Sequence, residues 1–238
     1  MSQRNKNLKR RTRLKVKILN STPDPERTIA AAGRLCYAPV GADELFEEMS
    51  DEDVSKLLRF LIKAGHHSAI EHAVYTFAIE GVSRACTHQL VRHRLASYNQ
   101  QSQRYVRFLD DFEYITPPAI RDDEAMNETF NEYVGKAFEL YKKMLASGIE
   151  AEDARYILPQ AGETKIVVTM NARELLHFFS LRCCDRAQWE IRELAIAMLG
   201  LVKETAPVIF EKAGPGCMRS PCPEGKMTCG DPWPRDKE

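Results

Sequence analysis

Apolar residues recur along this chain in two patterns, one typical of strands and one typical of amphipathic helices. Alternation or β-branched enrichment predicts strands at residues 14–18, 73–79 and 165–170. Apolar positions three and four apart predict helices at residues 24–36, 51–64, 82–94, 127–146, 151–157, 172–181 and 187–203. Ser50 is suited to cap the second helix and Gly65 to end it. Without an internal repeat or an obvious linker, this order predicts one α/β domain of the α+β type.

A polar segment interrupts these patterns at residues 97–104, which we expect to form a loop or the irregular start of a strand. It directly follows Arg92, His93 and Arg94, at the end of the predicted helix 82–94. Arginine makes planar, bidentate contacts to phosphate, and nearby hydroxyl and backbone N–H groups can satisfy its remaining oxygens. On composition alone, a surface basic patch is an equally good interpretation, because positive charge at a helix C-terminus interacts favourably with the helix dipole.

The order and spacing of this segment are more specific than its composition. Residues 92–104 read Arg-His-Arg-x-x-Ser-x-Asn-x-x-Ser-x-Arg, which resembles the signature of flavin-dependent thymidylate synthases at every fixed position. The resemblance covers about residues 14–210 through further matches at residues 65–72, 155–159, 171–173 and 181–191. It implies a thymidylate synthase-complementing fold, with a central sheet flanked by helices. The sequence has no GxGxxG or Walker loop, so no Rossmann motif is expected.

The resemblance also implies two sets of binding residues. The set for dUMP is Gln89, Leu90, Val91, Arg92, Gln100, Gln101, Ser102, Gln103, Arg104, Arg155 and Arg182. The set for FAD is His66, Ser68, Arg92, His93, Arg94, Gln100, Asn171, Ala172, Arg173 and His177. Two positions depart from the family pattern. Gln100 stands where many members carry an acidic residue, and His177 stands where an amide side chain is expected.

The activity implied is that of a methyltransferase that converts dUMP to dTMP in dTMP biosynthesis. Methylenetetrahydrofolate would supply the carbon and NADPH-reduced FAD the hydride, without a cysteine nucleophile and without a metal. Arg182 is the candidate for stabilising the negative charge that develops on the pyrimidine, as a preorganised anion hole does. Ser102 is the candidate for positioning that ring. The resemblance further implies a homotetramer with active sites at subunit interfaces.

Charge and cysteine positions change this interpretation only at the ends of the chain. Net charge is zero, yet residues 1–17 contain eight Lys or Arg and no acidic residue. We expect residues 1–13 to be a flexible basic terminus, residues 14–212 to be the enzyme domain, and residues 213–238 to be a Pro/Gly-rich tail. Seven cysteines without a secretion signal favour reduced thiols. Cys217, Cys222 and Cys229 lack the spacing of strong zinc motifs, which leaves a structural metal as the weaker alternative.

Other classes of protein are less consistent with the sequence. No apolar run approaches the roughly 20 residues that cross a bilayer, so a cytoplasmic protein without membrane contact is expected. A nucleic-acid-binding module would use the basic terminus and residues 92–107, and would bind DNA or RNA in a strongly salt-dependent manner. Its usual interleaved aromatic residues are lacking, so no nucleic acid partner is expected. A different nucleotide hydrolase or transferase would need clustered acidic metal ligands, which the sequence does not show.

Overall fold

The computed structural model describes residues 8–10 and 14–233, which form six strands and nine α-helices. Its strands are β1 (Leu8–Arg10), β2 (Lys15–Ser21), β3 (Val74–Ser83), β4 (Ala96–Gln100), β5 (Phe112–Tyr114) and β6 (Glu163–Asn171). Its helices are α1 (Pro25–Leu35), α2 (Ala42–Glu48), α3 (Asp51–Ala64), α4 (Arg84–Leu90), α5 (Pro118–Arg121), α6 (Glu124–Ala146), α7 (Ala151–Ala154), α8 (Ala172–Arg182) and α9 (Trp189–Thr205).

Two sheets form within these residues. One has the strand order β2-β3-β6-β4, and the other pairs β1 with β5 in parallel, with Leu8 opposite Phe112. The predicted α/β class with a sheet flanked by helices is confirmed. Residues 1–7 and 11–13 of the predicted flexible terminus, and residues 234–238 of the predicted tail, lie outside the described residues. The predicted domain boundaries at residues 13 and 212 stay predictions.

The predicted elements agree well with the structure where local signals are strong. Helix α3 matches its predicted bounds, because the Ser50 hydroxyl accepts a hydrogen bond from the Asp53 N–H at 3.2 Å. It ends at Gly65, whose φ of 75° is the left-handed conformation that glycine adopts without steric cost. Helices α1, α6, α8 and α9 and strands β2, β3 and β6 also lie within a few residues of their predicted bounds.

The predicted helix over residues 82–94 is partly wrong. Strand β3 continues to Ser83, and α4 covers Arg84–Leu90 alone. Within this stretch Gly81 has a φ of 77°, and its N–H donates to the buried Glu163 carboxylate at 2.9 Å. The Ser83 hydroxyl then accepts from the Cys86 N–H at 3.0 Å and caps α4. Elements β1, β5, α2 and α5 had no counterpart in the sequence pattern.

The chain clusters into two compact units, each with its own apolar core. The first unit takes in Ile79–Val91 and Asn99–Ile166, besides described residues up to Lys15. Its core contains Phe112 and Phe138, whose stacked rings have centroids 5.4 Å apart.

The second unit consists of Val16–Ala78, Arg92–Tyr98 and the chain from Val167 onward. Its core contains Tyr75 and Phe210 in edge-to-face contact at 5.9 Å. Among the described residues, no helix combines the length and apolar character that a bilayer crossing requires.

Candidate functional site

The first unit carries a pocket beside the start of α4. The Arg84 N–H donates to the Gly162 carbonyl oxygen at 3.0 Å, and the Ala85 N–H donates to the Gln160 carbonyl oxygen at 3.1 Å. Arg84 and His88 are one helical turn apart and therefore lie on one face of α4, next to the loop that contains Gln160 and Gly162. Residues lining the resulting cavity of about 430 Å³ include Arg84, His88, Gln103, Arg155, Tyr156 and Gln160. We name it the Arg155 pocket.

Positive charge dominates the Arg155 pocket. Arg84 donates from Nη1 to the Gln101 carbonyl oxygen at 3.2 Å, and Arg155 donates from Nε to the Glu152 carbonyl oxygen at 3.0 Å. Within the described part of the chain, neither guanidinium forms an ion pair with a carboxylate. Burial, and secondarily the charge of Arg155, lowers the pKa of Arg84. Two neighbouring cations without an acid make a good receptor for a phosphate group.

The segment after β4 uses several of its polar groups internally. The Gln100 amide nitrogen donates to the hydroxyls of Thr87 at 2.9 Å and Thr164 at 3.2 Å. Its two N–H groups are thus engaged, and ligand binding by Gln100 would fall to its amide oxygen. The Ser102 hydroxyl accepts from the Arg104 N–H at 3.1 Å, and the Arg104 guanidinium pairs with the Glu152 carboxylate.

The second unit carries a larger cavity of about 640 Å³, which we name the Arg92 pocket. Helix α8 begins where the Asn171 side chain accepts from the Glu174 N–H at 2.9 Å, and its first two turns present Arg173 and His177. The segment between α4 and β4 supplies Arg92 and Arg94. Among the described residues, the arginines that line the pocket are Arg92, Arg94, Arg173, Arg182 and Arg219. The volume lies in the usual range for small-molecule and cofactor sites.

A buried hydrogen-bonded chain forms one wall of the Arg92 pocket. His93 is 4% exposed and Glu174 is 5% exposed, and His93 Nδ1 lies 3.3 Å from Glu174 Oε1. Arg182 Nε donates to His93 Nε2 at 3.1 Å. Because Nε2 accepts, the neutral ring carries its proton on Nδ1 and donates it to Glu174. The chain Glu174–His93–Arg182 therefore fixes both the tautomer of His93 and the direction of the Arg182 guanidinium.

Burial determines the ionisation of this chain. Desolvation, followed by the charges of Arg182 and His177, lowers the pKa of His93 from 6.5 to about 4. Desolvation also raises the pKa of Glu174. His93, predicted as a cofactor contact, is thus a neutral and nearly inaccessible ring, and its main contacts are with protein groups.

The arginines of the Arg92 pocket differ in whether a described carboxylate pairs with them. Arg173 pairs with Glu71 at 2.5 Å. Arg92, Arg94 and Arg219 form no ion pair with any described residue. Glu174, bonded to His93, is the acidic side chain that the described residues contribute to the lining. A cavity with this charge fits a ligand that bears phosphates, as a flavin nucleotide does.

The structure distributes the predicted binding residues unevenly. Arg92, His93, Arg94, Arg173, His177 and Arg182 line the Arg92 pocket, whereas Gln103 and Arg155 line the Arg155 pocket. Other predicted residues are exposed or turned inward: His66, Ser68 and Val91 are exposed, Gln89 and Gln101 are half-buried, and Leu90 and Ala172 are fully buried. The Ala172 N–H donates to the Ala73 carbonyl oxygen at 2.8 Å. Their roles in binding stay predictions.

Sequence reasoning missed several lining residues. Arg84 and His88 could have been identified from the sequence, because two basic side chains one turn apart share a helix face. His67 lies between His66 and Ser68, which were predicted to contact FAD. It is His67 that lines the Arg92 pocket, whereas the other two do not. Arg219 has no local signal, because it lies in an irregular segment whose position depends on distant contacts.

The seven cysteines differ in their exposure to solvent. Cys86 and Cys183 are buried, and burial raises the pKa of the Cys183 thiol to about 12, which disfavours the reactive thiolate. Within the described residues, no cluster of His, Cys, Asp or Glu suits a metal ion.

If the reaction uses no cysteine nucleophile, as the family resemblance implies, we expect single replacement of Cys86, Cys183 or Cys184 by alanine to leave turnover largely unchanged. Steady-state rates, measured beside circular dichroism spectra, test this directly. Loss of turnover in a variant that still folds would contradict it.

Comparison with known proteins shows which family this chain resembles. Residues 17–208 match the family model described as thymidylate synthase complementing protein. A flavin-dependent thymidylate synthase from Geobacter sulfurreducens is 56% identical over 91% of this chain and 94% of its own length. One from Clostridium tetani is 52% identical over 91% and 93%, and one from Thermococcus onnurineus is 44% identical over 94% and 95%.

A solved structure supports the same assignment. The UMP/dUMP methylase PolB from Streptomyces cacaoi, bound with 5-Br dUMP, superposes with a TM-score of 0.76 at 26% identity, over 85% of this chain and 95% of its own. The predicted thymidylate synthase-complementing fold is therefore confirmed. Identity of this level over nearly the whole length, together with the family model's match to residues 17–208, shows that the chain belongs to the family of flavin-dependent thymidylate synthases.

Proposed function

We propose that this protein methylates dUMP to dTMP, with methylenetetrahydrofolate as carbon donor and FAD as flavin cofactor, reduced by NADPH. Unpaired arginine charge supports this most directly: each pocket contains at least two guanidinium groups that form no ion pair with a carboxylate of the described residues. Substrate and cofactor each carry phosphate, which such groups bind well. PolB, a relative in structure, binds a dUMP analogue.

The Arg155 pocket is the proposed site for the dUMP phosphate. Arg84 and Arg155 would hold the phosphate oxygens, and Gln103 would add an amide contact. Ser102 and Arg104 belong to the same segment, where Glu152 already orients the Arg104 guanidinium. The proposal thus adds Arg84 to the dUMP-binding residues that the sequence resemblance implied.

The Arg92 pocket is the proposed site for the cofactor. Arg92, Arg94 and Arg173 would bind the phosphates and orient the ring system. When bound, the flavin supplies the hydride that reduces the transferred carbon unit. Arg182 would stabilise negative charge on the pyrimidine, with its direction set by the hydrogen bond to His93. We further propose a homotetramer with active sites at subunit interfaces, as the family resemblance implies.

Formation of dTMP tests the proposed function. Purified protein is incubated anaerobically with dUMP, methylenetetrahydrofolate, FAD and NADPH, and each component is omitted in turn before chromatography. We expect dTMP only in the complete mixture. Folded protein that makes dTMP without flavin, or makes none with every component present, would overturn the proposal. Tight, salt-dependent DNA binding by a colourless protein would favour the nucleic-acid alternative instead.

We expect Arg84→Ala to weaken dUMP binding by about 10- to 100-fold, since a charge-assisted hydrogen bond contributes about 1.5–3 kcal/mol. Deoxyuridine, which lacks the phosphate, should bind both proteins equally. Isothermal titration calorimetry with both ligands measures the difference.

Arg121→Ala is the matched control for Arg84→Ala, because Arg121 is exposed and pairs with Asp122 at 2.8 Å, away from the pocket lining. An equal loss of dUMP and deoxyuridine affinity in Arg84→Ala would contradict a phosphate contact.

A further inference from the structure

The segment after α9 returns to the Arg92 pocket. The family model ends at residue 208, yet Arg219 lines the cavity together with Arg92, Arg94 and Arg173. A short 3₁₀ turn, Gly216–Met218, precedes it, and the Arg219 N–H donates to the Gly216 carbonyl oxygen at 3.3 Å. The predicted tail thus contributes a cation to a cavity that is otherwise built by the shared core.

Contacts within the second unit hold this segment in place. Arg186 Nη1 donates to the Met227 carbonyl oxygen at 2.6 Å, and Arg186 Nε lies 3.9 Å from a Glu224 carboxylate oxygen. The Trp233 N–H donates to the Cys217 sulfur at 3.3 Å. Hydrogen bonds on both sides of residue 219 therefore restrain the backbone that carries it.

Arg219 adds a positive charge to the lining of the Arg92 pocket. It forms no ion pair with any residue in the described part of the chain. After burial, the charges of Arg173 and Arg219 are what lower the pKa of His67, which faces the same cavity. A second cation near Arg173 raises the electrostatic cost of the empty cavity, and a bound anion would remove that cost.

We propose that Arg219 is a phosphate-binding residue of the cofactor site and that its guanidinium contacts the diphosphate of the flavin dinucleotide, on the side of the cavity lined by His67 and Arg173. Arginine suits this role because its planar fork bonds two phosphate oxygens at once. This role rests on the flavin cofactor proposed above. With Arg219 as a phosphate ligand, the C-terminal segment is part of the cofactor site, and removal of this segment would weaken cofactor binding.

Titration of flavin-stripped protein with FAD and with riboflavin tests this role. We expect Arg219→Ala to raise the dissociation constant for FAD by about 10- to 100-fold, as loss of a charge-assisted hydrogen bond does. Riboflavin, which lacks phosphate, should bind the variant and the wild type alike. Arg219→Lys should recover part of the FAD affinity, because it restores the charge but not the fork.

Lys226→Ala is the matched control, because Lys226 is an exposed tail cation outside the cavity lining. FAD affinity of Lys226→Ala should equal that of wild type, and thermal denaturation checks that each variant folds. Unchanged FAD affinity in Arg219→Ala, or an equal loss for riboflavin, would overturn the role of Arg219 alone. Failure of the wild-type protein to bind FAD at all would instead overturn the proposed function.

Discussion

Arg182→Ala is expected to lower kcat by about 100- to 1,000-fold, the usual loss when one donor that stabilises a developing anion is removed. The reason is geometric as well as electrostatic. Arg182 Nε is held by His93 at 3.1 Å, and His93 is held by Glu174, so the guanidinium is oriented before substrate arrives. Preorganised charge costs no reorganisation during the reaction, whereas a mobile or hydrated cation does.

Rates of dTMP formation and FAD affinity, measured on the same preparations, check this prediction. Arg182→Lys should recover little activity, because lysine cannot keep the contact to His93 and present a fork to the pyrimidine at once. Arg59→Ala serves as the control, since Arg59 is exposed and pairs with Glu211 at 3.2 Å. If Arg182→Ala keeps wild-type kcat, Arg182 has no part in stabilising the reacting ring.

Acidification from pH 7 to pH 4 is expected to remove about 3 kcal/mol of stability through His93 alone, because each pKa unit corresponds to 1.36 kcal/mol. Its pKa is about 4 in the folded protein and 6.5 for the unfolded chain. Below pH 6.5, His93 is therefore protonated in the unfolded chain, whereas in the folded protein it stays neutral until the pH nears 4. Stability from this group is complete above pH 6.5 and falls across that interval.

Urea denaturation of the wild type and His93→Gln at pH 7, 6, 5 and 4 isolates this contribution. Glu174, whose pKa is raised by burial, acts in the opposite direction, because its folded form takes up a proton more readily. Subtracting the variant from the wild type cancels the contribution of His67, which is common to both. The stability difference between the two proteins should shrink as the pH falls. Parallel losses at every pH would show that His93 is not buried as a neutral ring.

The sequence predicted elements best where the signals are local. Ser50, Gly65 and the apolar spacing between them determine α3, because capping and helical periodicity act within a few residues. The prediction failed across residues 82–94, where β3 extends to Ser83. That extension accompanies a hydrogen bond from the Gly81 N–H to Glu163, a residue 82 positions away, which no local pattern reveals.

The candidate site shows the same limit. Spacing over residues 92–104 was enough to predict an arginine-rich anion site and the family, since the order of residue types carries that information by itself. It did not show that His93 would be buried between Glu174 and Arg182, or that Arg84 would share a pocket with Arg155.

The sequence by itself therefore determined the local elements, the signature and the family of this protein. The tertiary structure alone decided which arginines share a cavity, which of them keep an unpaired charge among the described residues, and that Arg219 of the C-terminal segment joins them. The physical reason is range: capping and periodicity act over a few residues, whereas burial and charge pairing depend on groups that only folding brings together.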